Sequence, residues 1–301
     1  MSEKSNRIRL GVKAGNAIIA LASFLLLGLV EIALAHSDPW GDIHPQVSVV
    51  DGKFSVVFRS SQPEQVSDYS EGKPVQQMIF NADGTLFAPR HPLKQMRVHE
   101  EIGPVGLYRR KIRFGESTVI FQGDQSPKPG YVLESPGGKI MQVRLPWPKA
   151  VSLSLFEDAC VTPEGIAITG KVGTSHRQDD PLMFFWFAHE ETGAPTILDL
   201  GATACIYDFP VASNIAFAGG RFWVAYMRLT DDGQDLKLAL WSWKLGDQDG
   251  RVEVLDSPAF WNSHLSMAAI GDRLCLAYHC VVPDRANNQN ARIVTVFRKA
   301  Q

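Results

Sequence analysis

The chain has 301 residues, 45% apolar and 10% aromatic, which is enough for a large core and excludes disorder as its main state. Lys and Arg number 30 against 32 Asp and Glu, so the formal net charge of −2 excludes nucleic-acid binding through bulk positive charge. Four cysteines are too few for a disulfide-stapled scaffold.

Residues 1–35 read as a targeting segment. Lys4, Arg7, Arg9 and Lys13 form a positive start, residues 17–30 an apolar run, and Ala33-Leu34-Ala35 the small-x-small pattern of a signal-peptidase site. Cleavage before His36 removes four positive and two negative charges and takes the net to −4. The other reading is a retained N-terminal anchor, because residues 16–35 are long enough to span a bilayer. Both readings put the folded part outside the cytoplasm, periplasmic or secreted. No second apolar stretch of that length follows, so no membrane is involved unless the leader is retained.

From 36 to 301 the chain is expected to form one all-β domain. Short runs rich in Val, Ile, Phe, Tyr and Trp alternate with Gly, Asp, Asn and Pro clusters, and no amphipathic helix interrupts them. A hairpin recurs along the chain. It reads QVSVVDGKFSVVF at 46–58, RRKIRFGESTVIF at 109–121 and DACVTPEGIAITG at 158–170. It returns as NIAFAGGRFWVAY at 214–226 and SMAAIGDRLCLAY at 266–278. The copies at 46–58, 214–226 and 266–278 share a small residue before the turn (Ser48, Ala216, Ala268) and an aromatic that closes the second strand (Phe58, Tyr226, Tyr278). The other two match less fully, with Cys160 at the small position of one and Phe121 at the closing aromatic of the other. A second hairpin follows each of the first four copies, whereas only ARIVTVFR follows the last.

Four strands per unit of about fifty residues is the unit of a β-propeller, whose blades bury both faces. Burial on both faces accounts for consecutive apolar residues in strands such as Met183–Ala188. The chain resembles secreted β-propeller repeat proteins over nearly all of its length after the leader. The likeness is to the superfamily: there is no Trp-Asp dipeptide closing the blades, and Asn81–Thr85 only echoes a sialidase Asp-box. Five four-stranded blades are expected, six if residues 90–106 hide another, with a β-sandwich as the rival fold. The segment around 36–44 is the available donor for the missing last strand. Cys275 and Cys280, five apart on one strand, cannot pair. Cys160 with Cys205 stays open.

The loops before the inner strands are the expected functional face. Trp40, His44, Asp158, Tyr207, Asp208 and His264 share that phase of the repeat and are the candidate ligand-binding residues. Asp42 and Glu157 lie there too, and Trp147 and Trp261 could stack on a sugar ring. Two aligned histidines, His44 and His264, fall short of the three or four ligands a zinc site needs, so no metal is expected. His99-Glu100-Glu101 and His189-Glu190-Glu191 do not extend to a metal-binding spacing. No cofactor is implied. A binding or scaffold module, monomeric, taking a protein or a carbohydrate at its central face, is the first expectation. The alternative is a carbohydrate-active hydrolase, with Asp158 and Asp208 as its candidate carboxylate pair.

Overall fold

A computed structural model describes residues 40–61, 75–93, 108–123, 130–173, 181–189, 193–202, 213–229, 236–255, 265–283 and 289–300. The expected leader, residues 1–35, and its expected cleavage site lie outside the described residues. So do the side chains of residues 40–44. No helix occurs among the described residues.

The protein is a five-bladed β-propeller. Blade 1 holds β1 (Trp40–Val50), β2 (Lys53–Ser61), β3 (Val75–Phe80) and β4 (Leu86–Pro92). Blade 2 holds β5 (Tyr108–Phe114), β6 (Ser117–Gly123), β7 (Gly130–Glu134) and β8 (Ile140–Arg144). Blade 3 holds β9 (Leu153–Thr162), β10 (Gly165–Val172), β11 (Pro181–Ala188) and β12 (Thr196–Ala202). Blade 4 holds β13 (Asn214–Ala218), β14 (Arg221–Leu229), β15 (Leu236–Trp243) and β16 (Arg251–Val254). Blade 5 has only β17 (Leu265–Ile270), β18 (Arg273–Pro283) and β19 (Gln289–Lys299). Within each blade the strands meander in chain order. The first strands touch their counterparts in sequence: β5 meets β9, β9 meets β13, β13 meets β17, and β17 meets β1.

Local chemistry explains the hairpins. Asp51-Gly52 and Gly219-Gly220 both sit at positive φ, the backbone that a two-residue turn needs to match strand twist. The ladders then align the repeat: Ser48 opposes Ser55, Cys160 opposes Ala167, Ala216 opposes Trp223 and Ala268 opposes Cys275. In blade 2 the matching pair is Ile112 with Val119. The frame that starts at Arg109 is therefore one residue out, because Phe114 and Ser117, flanking Gly115-Glu116, close that turn. A slip of one residue exchanges the two faces of a strand, so Lys111 is not the counterpart of Ser48.

The ring closes through β1. Trp40 and Gly41 pair in parallel with Asn290 and Ala291 of β19, while Gly41, Asp42 and Ile43 pair with β2. This short contact joins blades 5 and 1 into one seven-stranded order. The donor is the segment expected, but it is not a separate short strand: it is the start of the eleven-residue β1, and what is short is its pairing with β19.

The core lies between blades. On β11, Phe184 and Trp186 face Phe222, Trp241 and Trp243 of blade 4, whereas Phe185 and Phe187 face the cluster of Phe121, Phe156 and Ile166. A strand sandwiched in this way has no polar face to keep. Cys275 and Cys280 are free thiols on β18, and burial pushes Cys275 up to about 12, which makes it inert.

Candidate functional site

The inner strands are tied to one another by a belt of side-chain-to-backbone bonds. Asp158 Oδ2 accepts from Ile215 N at 2.8 Å, linking blade 3 to blade 4. Asn214 Oδ1 accepts from Met267 N at 3.1 Å, linking blade 4 to blade 5. Ser266 Oγ accepts from Val47 N at 2.9 Å, linking blade 5 to blade 1. Asp158, Asn214 and Ser266 each stand two residues before Cys160, Ala216 and Ala268 in the repeat. Each therefore makes the same bond to the next inner strand.

Blade 2 breaks the pattern. Its residue at this phase is Arg110, and a guanidinium has no acceptor to offer Ala159 N. Asp158 takes that donor itself, Oδ1 accepting from Ala159 N at 2.8 Å. Both oxygens of this buried carboxylate thus receive backbone N–H groups.

Glu157 is different because the ladder skips it. Asp158 pairs with Thr169 and Phe156 with Gly170, which leaves Glu157 as the extra residue of a β-bulge. A bulge re-aims a side chain, and this one puts two consecutive acids against blade 4 instead of on opposite faces. Glu157 Oε2 accepts from Ser213 N at 2.7 Å, and Ser213 Oγ donates to Thr169 Oγ1 at 2.8 Å. Lys171, on the same face of β10 as Thr169, is buried beside them.

Burial pushes the Glu157 carboxyl above its ordinary value of 4.5. The side chain and backbone N–H of Ser213 oppose that shift, as does the charge of Lys171, while neighbouring Asp158 adds to it. The outcome is two adjacent carboxyls with different tasks. Asp158 is saturated with backbone donors, whereas Glu157 is biased toward holding a proton.

The other expected site residues fare unevenly. Trp40 and His44 lie on β1, where His44 falls at the register shift between Ile43 and Gln46. Their side chains, and all of Tyr207, Asp208, Trp261 and His264, lie outside the described residues. Trp147 is a packing residue: its ring meets Phe185 at 4.9 Å and Phe187 at 5.0 Å, edge-on. No group of three or more metal-ligating side chains occurs among the described residues. Ser213, Thr169 and Lys171 were not singled out from the sequence. Nothing marks a lysine or a serine as buried until the strands are paired.

Neither a protein-family model nor a curated protein sequence matches the chain. Among solved structures, an α-L-arabinofuranosidase from Clostridium thermocellum is 11% identical, with 88% of this chain and 92% of that one covered and a TM-score of 0.46. A family-43 glycoside hydrolase from Xanthomonas citri is 12% identical, covering 86% and 90% with a TM-score of 0.44. An α-L-arabinofuranosidase from Podospora anserina, solved with cellotriose, is 11% identical, covering 87% and 92% with a TM-score of 0.40. Each is a resemblance of fold alone.

Proposed function

We propose that this propeller is a carbohydrate-active hydrolase acting outside the cytoplasm, with Glu157 as its general acid. The carrying observation is the bulge on β9, which takes Glu157 out of the ladder into an environment that favours its protonated form. Glycoside hydrolysis needs such an acid to protonate the departing oxygen while a second carboxylate, still ionised, activates water or attacks the sugar. The proton leaves with the alcohol, and water supplies the hydroxyl that ends on the sugar carbon. Asp42, on β1, and Asp208, six residues before β13 in the sequence, are the candidates for the second carboxylate. Asp158, with both oxygens engaged, suits the role of positioning β9 against β13.

The test is hydrolysis of a panel of alkyl pentosides and hexosides and pentose oligosaccharides, whose leaving oxygens need a proton, by the wild type, Glu157→Gln, Asp42→Asn and Asp208→Asn. Turnover that falls at least about 100-fold in Glu157→Gln supports the reading. Turnover unchanged in that variant, or none with any substrate, sinks it.

The second reading, a binding or scaffold module, draws on a different observation. Leu86 and Phe87 on β4, Ile140 and Met141 on β8, and Val252 and Val254 on β16 are all exposed. These are the outermost strands, where exposed apolar residues suit a protein partner.

A further inference from the structure

Lys171 is the odd group in the cluster. It is 4% exposed, and its Nζ has no hydrogen-bond partner among the described residues. An ammonium is rarely buried unless it is paired, and a stabilising ion pair would bring it into contact with a carboxylate. Here the nearby carboxylates are already engaged: Asp158 by Ile215 N and Ala159 N, Glu157 by Ser213 N. Lys171 is therefore poorly explained as a stabilising contact, while its charge acts on Glu157 through a water-poor interface.

We propose that Lys171 is a positioning residue that acts through Glu157, its buried charge keeping the bulge carboxyl able to give up a proton as well as hold one. The inference rests on the reading of Glu157 as a general acid. A general acid that never ionises cannot complete a cycle, because it must recover its proton after each turnover. Burial and the Asp158 charge both raise the Glu157 carboxyl, and Lys171 is the cation that opposes them. Of the other elements packed against β9, β6 carries no ionisable residue, and β13 with the residue before it contributes the uncharged Asn214 and Ser213. Strand β5 carries Arg109, Arg110, Lys111 and Arg113, whose side chains lie outside the described residues.

The test is a titration of full-length protein labelled with carbon-13 at glutamate carboxyls, with the Glu157 resonance assigned by its loss in Glu157→Gln. Lys171→Met is the principal variant, because it keeps the stem's volume and removes a buried charge. Lys171→Arg restores the charge. The Glu157 midpoint should rise by about one unit or more in Lys171→Met and return most of the way in Lys171→Arg. The basic limb of the pH–rate profile should move upward by the same amount. A midpoint unchanged in folded Lys171→Met overturns the inference, as does one that Lys171→Arg fails to restore. The NMR midpoint needs no turnover, so its failure is separate from any failure of the hydrolase reading.

Discussion

The interface between blades 3 and 4 and the interface between blades 4 and 5 are built on the same bond and differ in what surrounds it. At the second, Asn214 accepts from Met267 N beside Ala216, Leu265, Met267, Leu274 and Leu276, an apolar cluster. At the first, Asp158 makes the equivalent bond, but Glu157, Lys171, Thr169 and Ser213 stand beside it. A neutral amide is sufficient to clasp two blades. The charge and the bulge at blade 3 are therefore excess over what holding the ring together requires, and excess polar groups in a core point to function.

Removing the clasp should break the first interface harder than the second. Asp158→Ala leaves Ile215 N and Ala159 N buried without an acceptor, a loss of about 2–6 kcal/mol at 1–3 per donor. Asn214→Ala orphans one described donor, Met267 N, and should cost about 1–3 kcal/mol. Urea unfolding of both variants at neutral pH measures the difference. Equal losses would mean that the two oxygens of Asp158 do not act independently.

The packing side of the comparison is sharpened at Ala216, which is buried within the blade 4–5 cluster and sits opposite Trp223. Ala216→Leu forces extra volume between two inner strands and should destabilise by about 1–3 kcal/mol. An unchanged denaturant midpoint would contradict the register of β13.

Most of the fold was legible in the sequence because turns need particular backbones. Asp51-Gly52, Gly219-Gly220 and Gly271 mark the hairpins at fixed distances from Ser48, Ala216 and Ala268, so the blades could be aligned by eye. Blade 2 slipped by one because its turn, Gly115-Glu116, offered no second landmark. The belt was legible in part: Asp158, Asn214 and Ser266 head their copies of the repeat, each a polar residue followed by an apolar one. What they bond to was not, since the acceptor's partner is a backbone N–H on another blade. The bulge is marked on the facing strand alone, where Gly170 stands at the register shift, while β9 carries neither glycine nor proline there, and without the bulge Glu157 reads as facing away from Asp158. Lys171 was hidden for the opposite reason. Lysine is so commonly exposed that its sequence gives no hint of burial.

The smallest expected effect separates the two adjacent acids by pH. The Glu157 carboxyl titrates above 4.5 in the folded protein, chiefly because it is buried, and near its ordinary value when unfolded. Between those two points the native state binds more protons than the unfolded state. Stability contributed at this site is therefore fully present below the ordinary value and is lost as pH rises through the folded one. Glu157→Gln removes the titration and keeps an acceptor for Ser213 N. The variant should lose less stability than the wild type as pH rises from the acid side, and the two curves should run parallel above the folded value. The gap should be smaller than the loss in Asp158→Ala, because the Ser213 bonds and the Lys171 charge oppose burial at Glu157 while nothing replaces the acceptor that Asp158→Ala removes. Urea midpoints measured for both proteins across the acid-to-neutral range decide it. Curves that stay parallel throughout would mean Glu157 is hydrated in solution. The bulge would then carry an ordinary surface acid, and the contrast between the two interfaces would reduce to Asp158 against Asn214.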